Sequence, residues 1–113
     1  MQKLTAVSLR ALAASIALMA LLIMHGNANA ADAQVKIANF TFEPPVLTVK
    51  VGTTVTWVND DDIPHLVAEK DGKFRSSALD TDEKFSQTFK TPGTVEYFCA
   101  IHPHMTGKIV VEP

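Results

Sequence analysis

A thiol, two imidazoles and a thioether crowd into seven consecutive positions, CAIHPHM, from Cys99 to Met105. A thiolate and two imidazoles arranged roughly trigonally, with a weak and distant thioether, form the donor set of a type 1 copper site. The run Cys-x2-His-x2-Met supplies three of those four donors from one loop: Cys99, His102 and Met105. The fourth has to come from elsewhere in the chain, and His65, which follows Trp57-Val58-Asn59 and Pro64, is the candidate outside the loop. The same donors argue against other metals. Structural zinc takes four Cys or His ligands, and no carboxylate stands in the loop where calcium or magnesium would need oxygen. The plain alternatives are a buried inert thiol at Cys99, a histidine satisfied by backbone at His65, and core filling at Met105. For His104, a solvent-exposed imidazole is the preferred reading.

The N-terminus sharpens this reading by what it removes. Lys3 and Arg10 precede a 14-residue apolar run from Ala11 to Met24, and Ala28-Asn29-Ala30 is a small-x-small cleavage pattern. The run is shorter than the roughly 20 apolar residues that span a bilayer core. Residues 1–30 are therefore expected to be a secretory signal peptide cut after Ala30, leaving one domain over residues 31–113 and no stable membrane insertion. The cut takes two of the ten basic residues and none of the twelve acidic ones, which leaves a net charge of −4. No basic patch for nucleic acid survives. One Cys, one Met and three His remain, and all but His65 of these lie in CAIHPHM. A single Cys in an exported protein cannot form an internal disulfide, so Cys99 should be buried or bound.

The elements that must position these donors read as strands. After residue 30 no amphipathic helical stretch appears, and period-two alternation recurs between turn signals. Val35 and Ile37 begin one strand; Leu47, Val49 and Val51 mark another, ended by Gly52; Val55 and Trp57 mark a third, ended by the Asn59 to Asp62 cluster. His65 to Glu69 precedes an Asp71-Gly72 turn. Phe85, Gln87 and Phe89 lead to Thr91-Pro92-Gly93, then come Val95, Tyr97 and Cys99, and last Ile109 and Val111. Phe74 to Glu83 has no clear period and reads as loop, and Asp60 to Asp62 as a solvated turn. About seven short strands without helices imply an all-β fold, a two-sheet antiparallel sandwich. If Val95 and Tyr97 face the core, Cys99 emerges inward at the strand's end, and the donors gather at one pole.

With TVTWVN, the Asn59-x5-His65 spacing, Pro64, PGTVEYFC and the final loop all on the page, residues 35–112 resemble the cupredoxins, small blue copper proteins. The Cys-x2-His-x2-Met spacing is that of the amicyanin branch. The resemblance implies a Greek-key sandwich, one copper held by His65, Cys99, His102 and Met105, and an Asn59 that ties the upstream ligand loop to the Cys99 loop. It implies a monomeric periplasmic electron carrier and not an enzyme, cycling Cu(I)/Cu(II) between redox partners, with a periplasmic dehydrogenase as donor and a c-type cytochrome as acceptor. Two positions depart from the branch: Ile101 replaces a proline and His104 a phenylalanine. Ile101 restores a backbone N–H two residues after Cys99, expected within reach of its sulfur.

Two other function classes compete. A periplasmic copper chaperone or scavenger would use Met-rich or His-rich segments, and one Met remains after Ala30. A thiol enzyme using Cys99 needs a base, an orienting group and a cleft, and the sequence offers no motif for the last two.

Overall fold

The computed structural model describes residues 31–113; the expected signal peptide and its cleavage point lie outside them. Eight strands follow one another: β1 Asp32–Ala38, β2 Thr41–Glu43, β3 Val46–Lys50, β4 Thr53–Asn59, β5 Val67–Glu69, β6 Lys84–Phe89, β7 Gly93–Cys99 and β8 Thr106–Glu112. They form two four-stranded sheets, β2-β1-β4-β6 and β3-β8-β7-β5, which is the all-β sandwich expected. Four of the pairings are antiparallel, but β1 runs parallel to β4 and β3 parallel to β8. Both sheets are therefore mixed. Alternation has the same period whichever way a neighbour runs, so strand direction leaves no mark on the pattern. The chain changes sheets between β2 and β3, through Pro44 and Pro45.

Alternation works as a sorting device along each strand. In β4, Thr53, Val55, Trp57 and Asn59 are buried while the residues between them are half-buried. In β7, Tyr97 and Cys99 share the inward side, and in β8 Gly107, Ile109 and Val111 do. Trp57 is fully buried among Phe74, Phe85, Phe89 and Tyr97, its ring meeting Tyr97 edge to face at 5.2 Å. Gly107 faces this cluster because nothing larger fits: a Cβ there would run into the Tyr97 ring and hydroxyl.

Three features depart from the alternation. Strand β2 is only Thr41-Phe42-Glu43, yet it buries Phe42. Val51 lies past the end of β3 and is 37% exposed, so the strand stops one alternation short of the expected end. The segment after the Glu69 to Gly72 turn lacks regular strands, but it runs along β5: Ala68 bridges Arg75, His65 bridges Leu79, and Leu79 is in the core. This cover explains why all three β5 residues are buried rather than every second one.

Tyr97 carries a measurable signature of this packing. Its hydroxyl is buried without a hydrogen-bond partner, and burial pushes the phenol up to about 12 against the opposing influence of the neighbouring Trp57 indole. The folded chain keeps this proton where the unfolded chain, near pH 10, releases it. The contribution is fully present below pH 10 and is lost above it, at about 1.4 kcal/mol per pH unit until about pH 12. Urea midpoints of Tyr97→Phe and of the parent should diverge in this window, with the variant falling less steeply. Parallel alkaline slopes would show that the phenol ionises as freely as an exposed one.

Candidate metal centre

The ends of four strands meet at one pole. Strand β4 stops at Asn59 beside Ile37 of β1, β7 stops at Cys99 beside Val67 of β5, and the Asp60 N–H donates to the Ile37 carbonyl at 2.8 Å. The loop from Cys99 to Thr106 closes on itself. Cys99 N–H donates to the Met105 carbonyl at 3.0 Å, and Met105 N–H donates to the His102 carbonyl at 2.9 Å. These bonds hold Cys99 and Met105 together in the core cluster, 0% and 6% exposed, while His102 is left half-buried and Ile101, Pro103 and His104 exposed. His65 arrives from the other side, fixed by a reciprocal backbone pair with Leu79 at 3.1 and 2.7 Å.

His65, Cys99 and His102 thus present donor atoms within 4.8 Å of one another. The Cys99 sulfur lies 3.7 Å from His65 Nδ1 and 3.6 Å from His102 Nδ1. A first-row metal with bonds of about 2.3 Å to sulfur and about 2.0 Å to nitrogen, 110 to 120° apart, sets those atoms about 3.5 to 3.8 Å apart. The spacing fits a metal shared by three donors. Both imidazoles turn Nδ1 toward the sulfur, as a common metal requires. Soft thiolate, imidazole and thioether together suit copper better than a hard cation.

A carboxylate sets the ring of His65. Asp61 Oδ2 lies 2.8 Å from His65 Nε2, so Nε2–H donates and the Nδ1 lone pair is left facing Cys99 and His102. The same carboxylate accepts the backbone N–H of Asn39 at 2.6 Å and of Phe40 at 3.0 Å. Burial pushes its pKa up, but the Phe40 and Asn39 amides and the His65 ring outweigh this and hold it below the usual carboxylate range. Asp61 is thus no solvated turn residue, unlike its exposed neighbours Asp60 and Asp62. An acid four positions before a candidate histidine ligand was the available signal, masked by the flanking aspartates.

Two expectations drawn from the family resemblance need correcting. Asn59 does not tie the His65 loop to the Cys99 loop; its side-chain amide donates to the Ile63 and Leu79 carbonyls and its oxygen accepts the Asp61 N–H. It braces the His65 loop within itself at Ile63 and against the Leu79 segment, because inward parity at the end of β4 points it there. The link between the two loops is backbone: Ala100 N–H donates to the Leu66 carbonyl at 3.0 Å, and Leu66 N–H reaches the Cys99 sulfur at 3.4 Å. Leu66, rather than Ile101, is the backbone donor to this sulfur among the described residues.

Phe40 also belongs to the pole, although nothing in its local sequence suggests it. It is 49% exposed, and its ring stands edge-on to His65 and His102, with centroids 5.5 and 5.1 Å away.

The family model for copper binding proteins of the plastocyanin/azurin family matches residues 29–112. The chain is 39% identical over 90 residues to amicyanin-alpha of Methylorubrum extorquens, covering 75% of this chain and 76% of that one. It is 43% identical over 83 residues to the amicyanin of Paracoccus denitrificans, covering 69% of this chain and 63% of that one. Among solved structures, an oxidized amicyanin variant superposes with a TM-score of 0.68 at 39% identity, over 71% of this chain and 81% of that one.

The Asp61 arrangement yields a direct test on metal-free protein. Asp61→Ala strips the acceptor from the buried His65 Nε2 and from two backbone amides, an expected loss of about 1 to 3 kcal/mol. Asp61→Asn keeps one acceptor oxygen and should lose less, and Asp62→Ala should be close to neutral. Denaturant midpoints in that order support the clasp; equal midpoints for the Asp61 and Asp62 variants would remove it.

Proposed function

The chain belongs to the plastocyanin/azurin family of copper-binding proteins, and on that premise we propose that its mature form is a periplasmic one-electron carrier whose copper is held by His65, Cys99, His102 and Met105. The observation that carries this reading is the preformed trio of donors at metal-sharing distances, with Met105 buried on the same closed loop. Copper, when bound, supplies the one-electron couple between Cu(I) and Cu(II). Everything else is asked of the chain itself.

The first task is rigidity. His65 is held by the Leu79 backbone pair and the Asp61 carboxylate, and Cys99 by the Met105 carbonyl and the Leu66 amide. Donors fixed from outside in this way need little rearrangement when the charge at the centre changes by one. The second task is access. His102 is the half-buried ligand of the set, and exposed Phe40, Pro64, Ile101 and Pro103 lie near it in the fold. Such a small apolar patch suits brief docking, as weak electron-transfer contacts are typically below about 1,200 Å² in total. We assign this patch to the redox partners, a dehydrogenase as donor and a c-type cytochrome as acceptor, with the carrier working as a monomer. The export implied by residues 1–30 sets this exchange in the periplasm.

Adding Cu(II) to purified protein lacking residues 1–30 should produce one equivalent of binding, an intense thiolate-to-copper band in the visible, and the EPR spectrum of a type 1 site. Cys99→Ala should abolish the band, and a coloured Cys99→Ala protein would refute the ligand assignment. For docking, Ile101→Glu should keep the visible spectrum and slow bimolecular electron exchange with a c-type cytochrome. Unchanged rate constants would move the docking surface away from His102.

A further inference from the structure

Strand β1 turns into β2 through Asn39 and Phe40, which take φ values of 53° and 59°. Two left-handed central residues define a type I′ hairpin turn, in which the second position strongly favours glycine. A bulky aromatic there is an outlier for which local preference offers no reason. Core burial offers none either, since the ring is 49% exposed. Strain of this kind persists only where its surroundings enforce it, and it concentrates at functional sites.

The enforcing groups are on the page. The amides of both left-handed residues donate to the carboxylate of Asp61, which also receives His65 Nε2. The hairpin tip and one imidazole are therefore pinned by one group. The Phe40 ring then meets both imidazoles edge to face, at interplanar angles of 89° with His65 and 85° with His102. His65 has further restraints in Leu79 and Asp61. His102 has fewer: it sits on a loop between exposed Ile101 and Pro103, and its aromatic neighbours among the described residues are Phe40 and His65.

We propose that Phe40 is a positioning residue that wedges against the two imidazoles, chiefly His102, keeping the donors assembled and slowing the departure of bound metal. The second half of that statement rests on the ligand assignment given above; the first does not. Phe40→Gly separates this role from a merely structural one, because glycine relieves the left-handed backbone while removing the wedge.

The copper-loaded parent and the Phe40→Gly and Phe40→Leu variants are mixed with excess EDTA, and loss of the visible band is timed. Metal-free samples of the same proteins are melted, and their His102 ring dynamics are followed by NMR relaxation. Two lost edge contacts correspond to release faster by about tenfold in Phe40→Gly. The melting temperature of this variant should stay level or rise, and the His102 ring should gain mobility. Phe40→Leu, which keeps bulk, should fall between. Release and ring mobility both unchanged in Phe40→Gly would overturn the proposal, as would faster release explained by a matching loss of fold stability. If the parent took up no copper, the ligand assignment would fail, and the ring dynamics of the metal-free proteins would decide on Phe40 by themselves.

Discussion

The pole depends first on a constraint that is not chemical: side chains on a strand alternate between two faces. Val55 and Trp57 are needed in the core, so Asn59, two positions further, must point inward at the end of β4. Tyr97 is needed there too, so Cys99 must point inward at the end of β7. Both strands stop at the same end of the sandwich, and a polar amide and a thiol arrive in a space that hydrophobic packing has already dried. A shift of one residue in either strand would send its terminal side chain into solvent and a neighbour into the core. The register that buries Trp57 and Tyr97 is therefore also the register that builds the centre.

Once there, the polar groups are satisfied by segments that the fold brings from far along the chain as well as by near neighbours in sequence. Asn59 braces Ile63 and Leu79, Asp61 gathers three donors, and Leu66 caps the thiol. Asn59, Asp61 and Leu66 lie close to His65 in the chain, whereas Leu79, Asn39, Phe40 and Cys99 come from elsewhere. The upstream loop is accordingly a hub that joins the β1–β2 turn and the Leu79 segment, and the Cys99 loop is laid against it by the Ala100 and Leu66 amides. A buried polar network of this kind is stable only when complete, and around His65 each of the polar side chains named here finds its partner.

The parts of this arrangement that were legible in the sequence are those governed by period and composition. The alternation of Val55 and Trp57, or of Val95, Tyr97 and Cys99, survives as a pattern because burial selects every second residue. The donors were legible because few other sulfur or imidazole groups follow residue 30. What escaped has physical reasons. Strand β2 is three residues long and shows no full period. The parallel course of β1 along β4 changes hydrogen-bond partners without changing which side chains are buried. Asp61 shares its type with Asp60 and Asp62 and differs only in where the chain turns it. Phe40 occupies a conformation its residue type disfavours, so any propensity argument points away from it. Asn59 shows the opposite error, in which a family role was carried to a residue whose bonds here go elsewhere, and Ile101, expected to donate to the Cys99 sulfur because it departs from the family, leaves that place to Leu66.

The closed loop between β7 and β8 has a consequence for how this protein can change. Phe98 and Thr106 are paired across the two strands, and the seven residues between them are tied by two bonds internal to the loop. No residue from Ala100 to His104 contributes to a strand. Residues can therefore be exchanged at exposed Ile101, Pro103 and His104 without moving a register, whereas a change of length between His102 and Met105 breaks the backbone bond that seats Met105 in the core. Cys99 and Met105 anchor this hairpin in the core, and His102 between them faces the framework of His65, Asn59 and Asp61. Variation at the exposed loop positions can thus reshape the surface around His102 while the buried packing of Cys99 and Met105 stays in place.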